Sequence, residues 1–111
     1  MFNRIKFAFQ GRSPDWHSVR ANFLKINKRC TACAADSKLE VHHIEPFHIH
    51  PELELNEKNL ITLCRNCHLV IGHLRDYKLH NRKVKDDCTS FMLKRIEAMA
   101  LARATEYYSN K

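Results

Sequence analysis

The chain has 111 residues, with 19 Lys and Arg against 12 Asp and Glu and a formal net charge of +7. That length suits one domain with a modest core, which an added staple would help. No run approaches the roughly 18 apolar residues of a membrane span, and the basic balance suits a polyanionic partner, nucleic acid being the usual one, as well as it suits a merely solvated basic surface.

Residues 1–12 read as a basic arm, with Arg4, Lys6 and Arg12 interleaved with Phe2, Phe7 and Phe9. The arm lacks the continuous apolar run and small-residue cleavage site of a signal peptide, so a reducing cytoplasm is expected. Ser13-Pro14-Asp15 is a helix start, with Ser13 as cap and Pro14 at the first helical position. Trp16, Val19, Phe23 and Ile26 then recur at steps of three and four, predicting a helix over about 14–27 with one core-facing stripe. Residues 39–44 alternate as a strand that Pro46 ends. A long histidine-bearing loop covers 45–58, and 59–64 reads as a second short strand. A helix is expected over about 65–74, then a polar, basic connection over 75–85. A final helix is predicted over 87–108, with Phe91, Met92, Ile96, Met99 and Ala100 facing inward and an Ala-rich stretch of strong helix propensity. With 2 Gly, 3 Pro and no repeats, the expectation is a single domain over 1–111. Its parts are the arm (1–12), a helix region (13–29), a central motif (30–74) and the basic connection with the C-terminal helix (75–111).

Cysteines punctuate the central motif. Cys30-x-x-Cys33 and Cys64-x-x-Cys67 are two paired-thiolate hooks, 30 residues apart. Two such pairs can close a tetrahedral zinc site with no open position, which makes the expected metal structural. In a reducing compartment five cysteines argue for metal ligands or free thiols over disulfides. Cys88 is expected to be a helix-face thiol without a role.

The insertion between the hooks carries Val41-His42-His43-Ile44-Glu45-Pro46 and Asn59-Leu60, and His68 directly follows Cys67. The order CxxC, His-His followed by Pro, Asn-Leu, then CxxCH resembles the HNH endonucleases of the ββα-metal (His-Me finger) class, over residues 30 to about 74. Small phage-encoded members of that family are similar in size. The resemblance implies an α+β fold, a short two-stranded antiparallel hairpin plus helix with a structural zinc, flanked here by an N-terminal and a long C-terminal helix. It implies His42 and His68 as ligands of a catalytic divalent cation, His43 as general base toward the attacking water, and Asn59 as the brace that holds His43. Many members have Asp at the position of His42. Some members add a His four residues after the last motif His, which here is Gly72. His73 is one step further, about 140° around an α-helix from His68, and is expected to point away from that metal.

Two imidazoles leave open positions for phosphate and water, and imidazole titrates near neutral pH, as a general base requires. The expected cation is Mn²⁺, Co²⁺, Ni²⁺ or Mg²⁺, with nitrogen ligands favouring the first three. The rings of residues 42, 43 and 68 are expected to converge on one cation. Adjacent strand residues nevertheless point to opposite faces, so convergence requires the strand to twist or end there. His48 and His50 read as surface or phosphate-proximal, and Glu45 as an outer partner of an imidazole or a solvated carboxylate. DNA contact is expected through the N-terminal arm, Lys28, Arg29, Arg65, and the stretch from Arg75 to Lys85 with Lys78, Arg82, Lys83 and Lys85, mainly on phosphates, with weak sequence specificity and strong salt dependence. The other readings are a non-catalytic zinc-stabilised nucleic-acid-binding module and an accessory subunit of a phage DNA-packaging or recombination machine. The final helix could pair with a second copy or cover the core, which leaves the oligomeric state open.

Overall fold

The computed structural model describes residues 12–110. The basic arm over 1–12 lies outside the described residues except for Arg12. Helix α1 spans Trp16–Ile26. Ser13 tightens its entry differently from the expected cap: the Ser13 hydroxyl accepts the Asp15 N–H at 3.1 Å, and the Ser13 carbonyl accepts the Trp16 N–H at 3.0 Å.

Strands β1 (Leu39–His43) and β2 (Leu60–Cys64) form one antiparallel hairpin in which His42 pairs with Ile61 and His43 with Leu60. Period-two alternation gives the hairpin two buried faces. Val41 and Leu60 pack with Phe23, Trp16, Val19 and Leu24 of α1. Ile61 and Leu63 pack with Cys30, Ala32, Cys67, Val84 and Cys88. Thr62 joins the hairpin to the chain after α1: its hydroxyl donates to the Asn27 carbonyl at 3.0 Å, and its carbonyl accepts from the Thr31 N–H at 2.9 Å.

After β2 a short helix α2 (Arg65–Cys67) runs directly into a π-helical turn, His68–Gly72. The expected α-helix over 65–74 is therefore replaced by a wider coil, closed by a five-residue bond from the His73 N–H to the His68 carbonyl at 3.0 Å. Leu74 and Arg75 then take left-handed backbone angles, φ 53° and 70°. Asn81 ties the returning chain down: its N–H donates to the Gly72 carbonyl, and its amide donates to the Ile71 carbonyl and to Asp87.

Helix α3 covers Val84–Ser109 and buries Val84 and Cys88 in its first turns. The expected inward face does not form. Phe91, Ile96 and Met99 are 40, 48 and 47% exposed, Ala100 is exposed, and Met92 is half-buried. The helix is about 39 Å long at 1.5 Å per residue and outruns the packed core, drawing the molecule out to 73 Å along its longest axis against 26 and 19 Å across. Its apolar residues surround the axis rather than forming a stripe. Arg95 is its outermost tie to the hooks, donating to the Cys33 carbonyl at 2.7 Å. Among the described residues no helix is long and apolar enough to cross a membrane.

Candidate active site

The four hook cysteines converge as the spacing predicts. All four Sγ atoms lie within 4.8 Å of one another. Each hook is a tight knuckle in which a backbone N–H points at sulfur: Cys33 toward Cys30 Sγ at 3.5 Å, Cys67 toward Cys64 Sγ at 3.4 Å. Ala34, at φ 65°, turns the first knuckle. None of the cysteines is in a disulfide. Burial alone would raise Cys30, but amide groups of Cys64, Cys33 and Ala32 outweigh it and bring that thiol to about 7. Burial and the neighbouring sulfurs push Cys67 up. Four sulfurs this close cannot all ionise unless a cation shares their charge, so the donor set fits zinc. Cys88 is buried next to the cluster and pushed up to about 11, by burial first and then by the charges of Cys30 and Asp87.

The second cluster is made of imidazoles. His42, His68 and His73 each offer a ligand nitrogen within 4.8 Å of the others. The five-residue π turn explains His73. Its wider pitch brings residue i+5 back over residue i, so the expected 140° offset from His68 vanishes and the two Nε2 atoms stand 3.2 Å apart. Each ring is oriented from behind. His68 Nδ1 lies 2.9 Å from Glu40 Oε1, and His73 Nδ1 lies 2.7 Å from the Leu79 carbonyl. Carboxylate and carbonyl oxygens accept, so both Nδ1 atoms carry a proton, and in the neutral rings both Nε2 atoms present lone pairs. His42 Nε2 is buried with no hydrogen-bond partner among the described residues. Burial, followed by the charges of His68, His73, His80 and His43, holds His42 down at about 3, a neutral ring. Burial also lowers His68. Three convergent imidazoles, with an orphaned nitrogen on His42 and two Nε2 atoms 3.2 Å apart, fit a divalent cation and leave positions open to other ligands. Gly72 makes the approach possible, since a Cβ there would sit 3.2 Å from His42 Cε1, His42 Nδ1 and His68 Cδ2.

His43 does not join this trio. Although β1 ends at His43, the alternation holds, and the ring turns to the α1 face, 4.5 Å from the Trp16 ring centroid. Its Nε2 lies 2.9 Å from the Glu54 carbonyl. That nitrogen therefore carries the proton and the other keeps its lone pair. Burial lowers His43 despite this bond, with Arg12 and His80 adding to the effect. Asn59 holds the loop between the strands closed: its side-chain oxygen accepts the Glu45 N–H at 2.7 Å, and its amide donates to the carbonyls of Glu45 and Leu53 at 3.1 and 3.3 Å.

Sequence reasoning missed Glu40, Glu54, His73 and His80. The His80 ring centroid is 4.7 Å from that of His73 and 6.2 Å from that of His42, and His48 stands 5.5 Å from His80 on the other side. His50 and Glu45 enter an ion-pair network with Arg82, whose Nη2 is 2.8 Å from Glu45 Oε2. The basic residues separate into groups. Lys28, Arg29 and Lys85 line one groove over Phe23, Ile44 and Leu60. Arg65 pairs with Glu40, and Arg29 also pairs with Asp36. Lys78 and Lys83 are exposed on the connection after the π turn.

Residues 28–74 match the family model described as HNH endonuclease. No curated protein and no solved structure matches the chain.

Proposed function

Taking as premise that residues 28–74 are an HNH endonuclease domain, of a family that hydrolyses phosphodiesters, we propose that this chain cuts DNA in a reaction that needs a divalent cation. His42, His68 and His73 hold that cation, and the four cysteines hold a structural zinc. The observation that carries the reading is the set of three imidazoles whose ligand nitrogens lie within 4.8 Å of one another, with a further imidazole, His43, turned to the other face of the hairpin. A cation bound by the trio would neutralise charge building on the phosphate and the departing 3′ oxygen.

The chain's own residues do the rest. His43 takes the proton from the attacking water on the ring nitrogen that does not face Glu54. The Glu54 carbonyl fixes the ring's tautomer, Trp16 fixes its plane, and Asn59 keeps the loop carrying Glu54 in register with β1. All-imidazole ligation favours Mn²⁺, Co²⁺ or Ni²⁺ over Mg²⁺. DNA is held mainly by its phosphates, with little sequence preference and with affinity that falls steeply as salt rises.

Cleavage of supercoiled DNA across a metal series, with wild type and His43→Ala compared, tests the reading. Wild type nicks or linearises the plasmid with added Mn²⁺, Co²⁺ or Ni²⁺ and stops with chelator, while His43→Ala binds the metals but does not cut. DNA binding without cutting under every metal would instead make the chain a zinc-stabilised binding module. Cutting by His43→Ala at the wild-type rate would remove His43 from its role.

A further inference from the structure

Phe47, Arg12, Trp16 and His43 form a continuous stack at the end of β1. The Arg12 guanidinium carbon lies 4.7 Å from the Phe47 ring centroid and 5.4 Å from that of Trp16, and the Trp16 ring also packs on His43 at 4.5 Å between centroids. The backbone next to Arg12 is pinned as well. The Ser13 N–H donates to both carboxylate oxygens of Glu54 at 3.1 Å, and the same Glu54 supplies the carbonyl that meets His43. One buried residue, Glu54, 5% exposed, thus sets both the chain at Arg12 and the ring at His43.

Arg12 itself is exposed, and among the described residues no carboxylate pairs with its guanidinium. The Trp16 ring beneath it also packs on His43, so the guanidinium stands one ring away from the proposed base, at the end of β1 that also carries His42. A phosphate attacked by a water at His43 would lie beside it.

We propose that Arg12 is a catalytic residue whose guanidinium grips the non-bridging oxygens of the scissile phosphodiester and counters the charge they gain in the transition state. The proposal rests on the nuclease reading above. Two flanking rings limit the rotamers of the guanidinium and leave its planar fork of donors free for a bidentate anion, a geometry that a lysine ammonium cannot reproduce.

The test compares wild type, Arg12→Ala and Arg12→Lys in single-turnover cleavage at saturating DNA with Mn²⁺. Melting temperature, Co²⁺ binding and DNA affinity are measured alongside. Both variants should melt and bind Co²⁺ as wild type does. The cleavage rate should fall roughly 100-fold or more in Arg12→Ala, the scale of losing one preorganised transition-state donor. Arg12→Lys should recover little of it, and added guanidinium ion should restore part of the Arg12→Ala rate. Weaker DNA binding with an unchanged saturated rate would make Arg12 a peripheral phosphate contact and overturn the proposal. Loss of melting temperature or of Co²⁺ binding in both variants, without rescue by guanidinium, would overturn it in favour of a purely structural staple. Wild type that cuts with no metal tested would sink the nuclease reading itself, and Arg12 with it.

Discussion

The Nε2 atoms of His68 and His73 face each other at 3.2 Å across a five-residue step in the chain. Their Nδ1 atoms are committed to Glu40 and to the Leu79 carbonyl, so in the neutral rings both Nε2 atoms turn lone pairs toward each other. Such an arrangement is stable when a cation lies between the donors. His73→Ala should therefore weaken Co²⁺ or Ni²⁺ binding by more than the roughly 10–100-fold typical of losing an outer-shell partner, while zinc content stays unchanged. Calorimetric titration of the variant, with elemental analysis for zinc, checks both halves. Wild-type Co²⁺ affinity in His73→Ala would remove it from the ligand set.

Gly72 is the tightest point of the second cluster. An alanine methyl there would press on His42 and His68 at 3.2 Å, closer than ordinary carbon contact, and either ring would have to yield by a few tenths of an ångström. Both rings belong to the trio, so Gly72→Ala should lower divalent-metal affinity and cleavage together while the melting temperature of the zinc-loaded protein changes little. Equal metal binding by wild type and Gly72→Ala would show that the rings have slack.

The cysteine cluster joins the end of α1, the end of β2 and the start of α2, and Cys30 and Cys67 also belong to the core beside Ile61 and Leu63. Removing its metal should unfold the hairpin rather than merely silence it, because ligand binding and folding are one equilibrium in a small zinc-stapled unit. Circular dichroism during titration with a strong zinc chelator should show loss of structure in step with zinc release. Cys67→Ser should express as an unfolded or aggregated chain. Native-like spectra from fully zinc-free protein would contradict this.

Stability of protein that retains zinc but lacks the imidazole-bound cation should fall with acid. His42 titrates at about 3 in the folded chain, held there by burial first and by the neighbouring imidazoles after, against 6.5 when unfolded. His43, His68 and His80 shift in the same direction. Between those limits the unfolded chain binds more protons than the folded one, so stability rises with pH. It should be full above about 6.5 and decline progressively as pH drops toward 3. Melting curves at pH 7.5, 6.0 and 5.0 test the sign. A flat profile would mean that these rings are hydrated rather than buried.

Much of the site is legible in the sequence because its spacing is short and its chemistry is local. CxxC knuckles close on themselves through N–H to sulfur bonds, so the hooks at 30–33 and 64–67 are readable from residue type alone. The hairpin follows from alternation in 39–44 and the short apolar run within 59–64, and Asn59 reaches Glu45 because strand pairing brings loop ends together. Glu40, Glu54 and Leu79 act on histidines 28, 11 and 6 residues away, and two of the three contacts use a backbone carbonyl, which leaves no mark in residue identity.

The sequence by itself determined the two cysteine hooks, His42 and His68 as ligand candidates, the two strands between the hooks and the basic net charge. Tertiary structure alone decided three further things: that His73 completes the trio, that His43 stands across the strand from it, and that α3 leaves the core after Cys88. The reason is common to all three. A side chain's direction follows the hydrogen-bond register of its backbone, and whether a turn closes at four residues or five is set by what packs against it. At 68–73 the clamp of Asn81 on Ile71 and Gly72, with Glu40 and Leu79 behind the rings, accompanies the wider turn. Helix propensity alone predicts the narrower one.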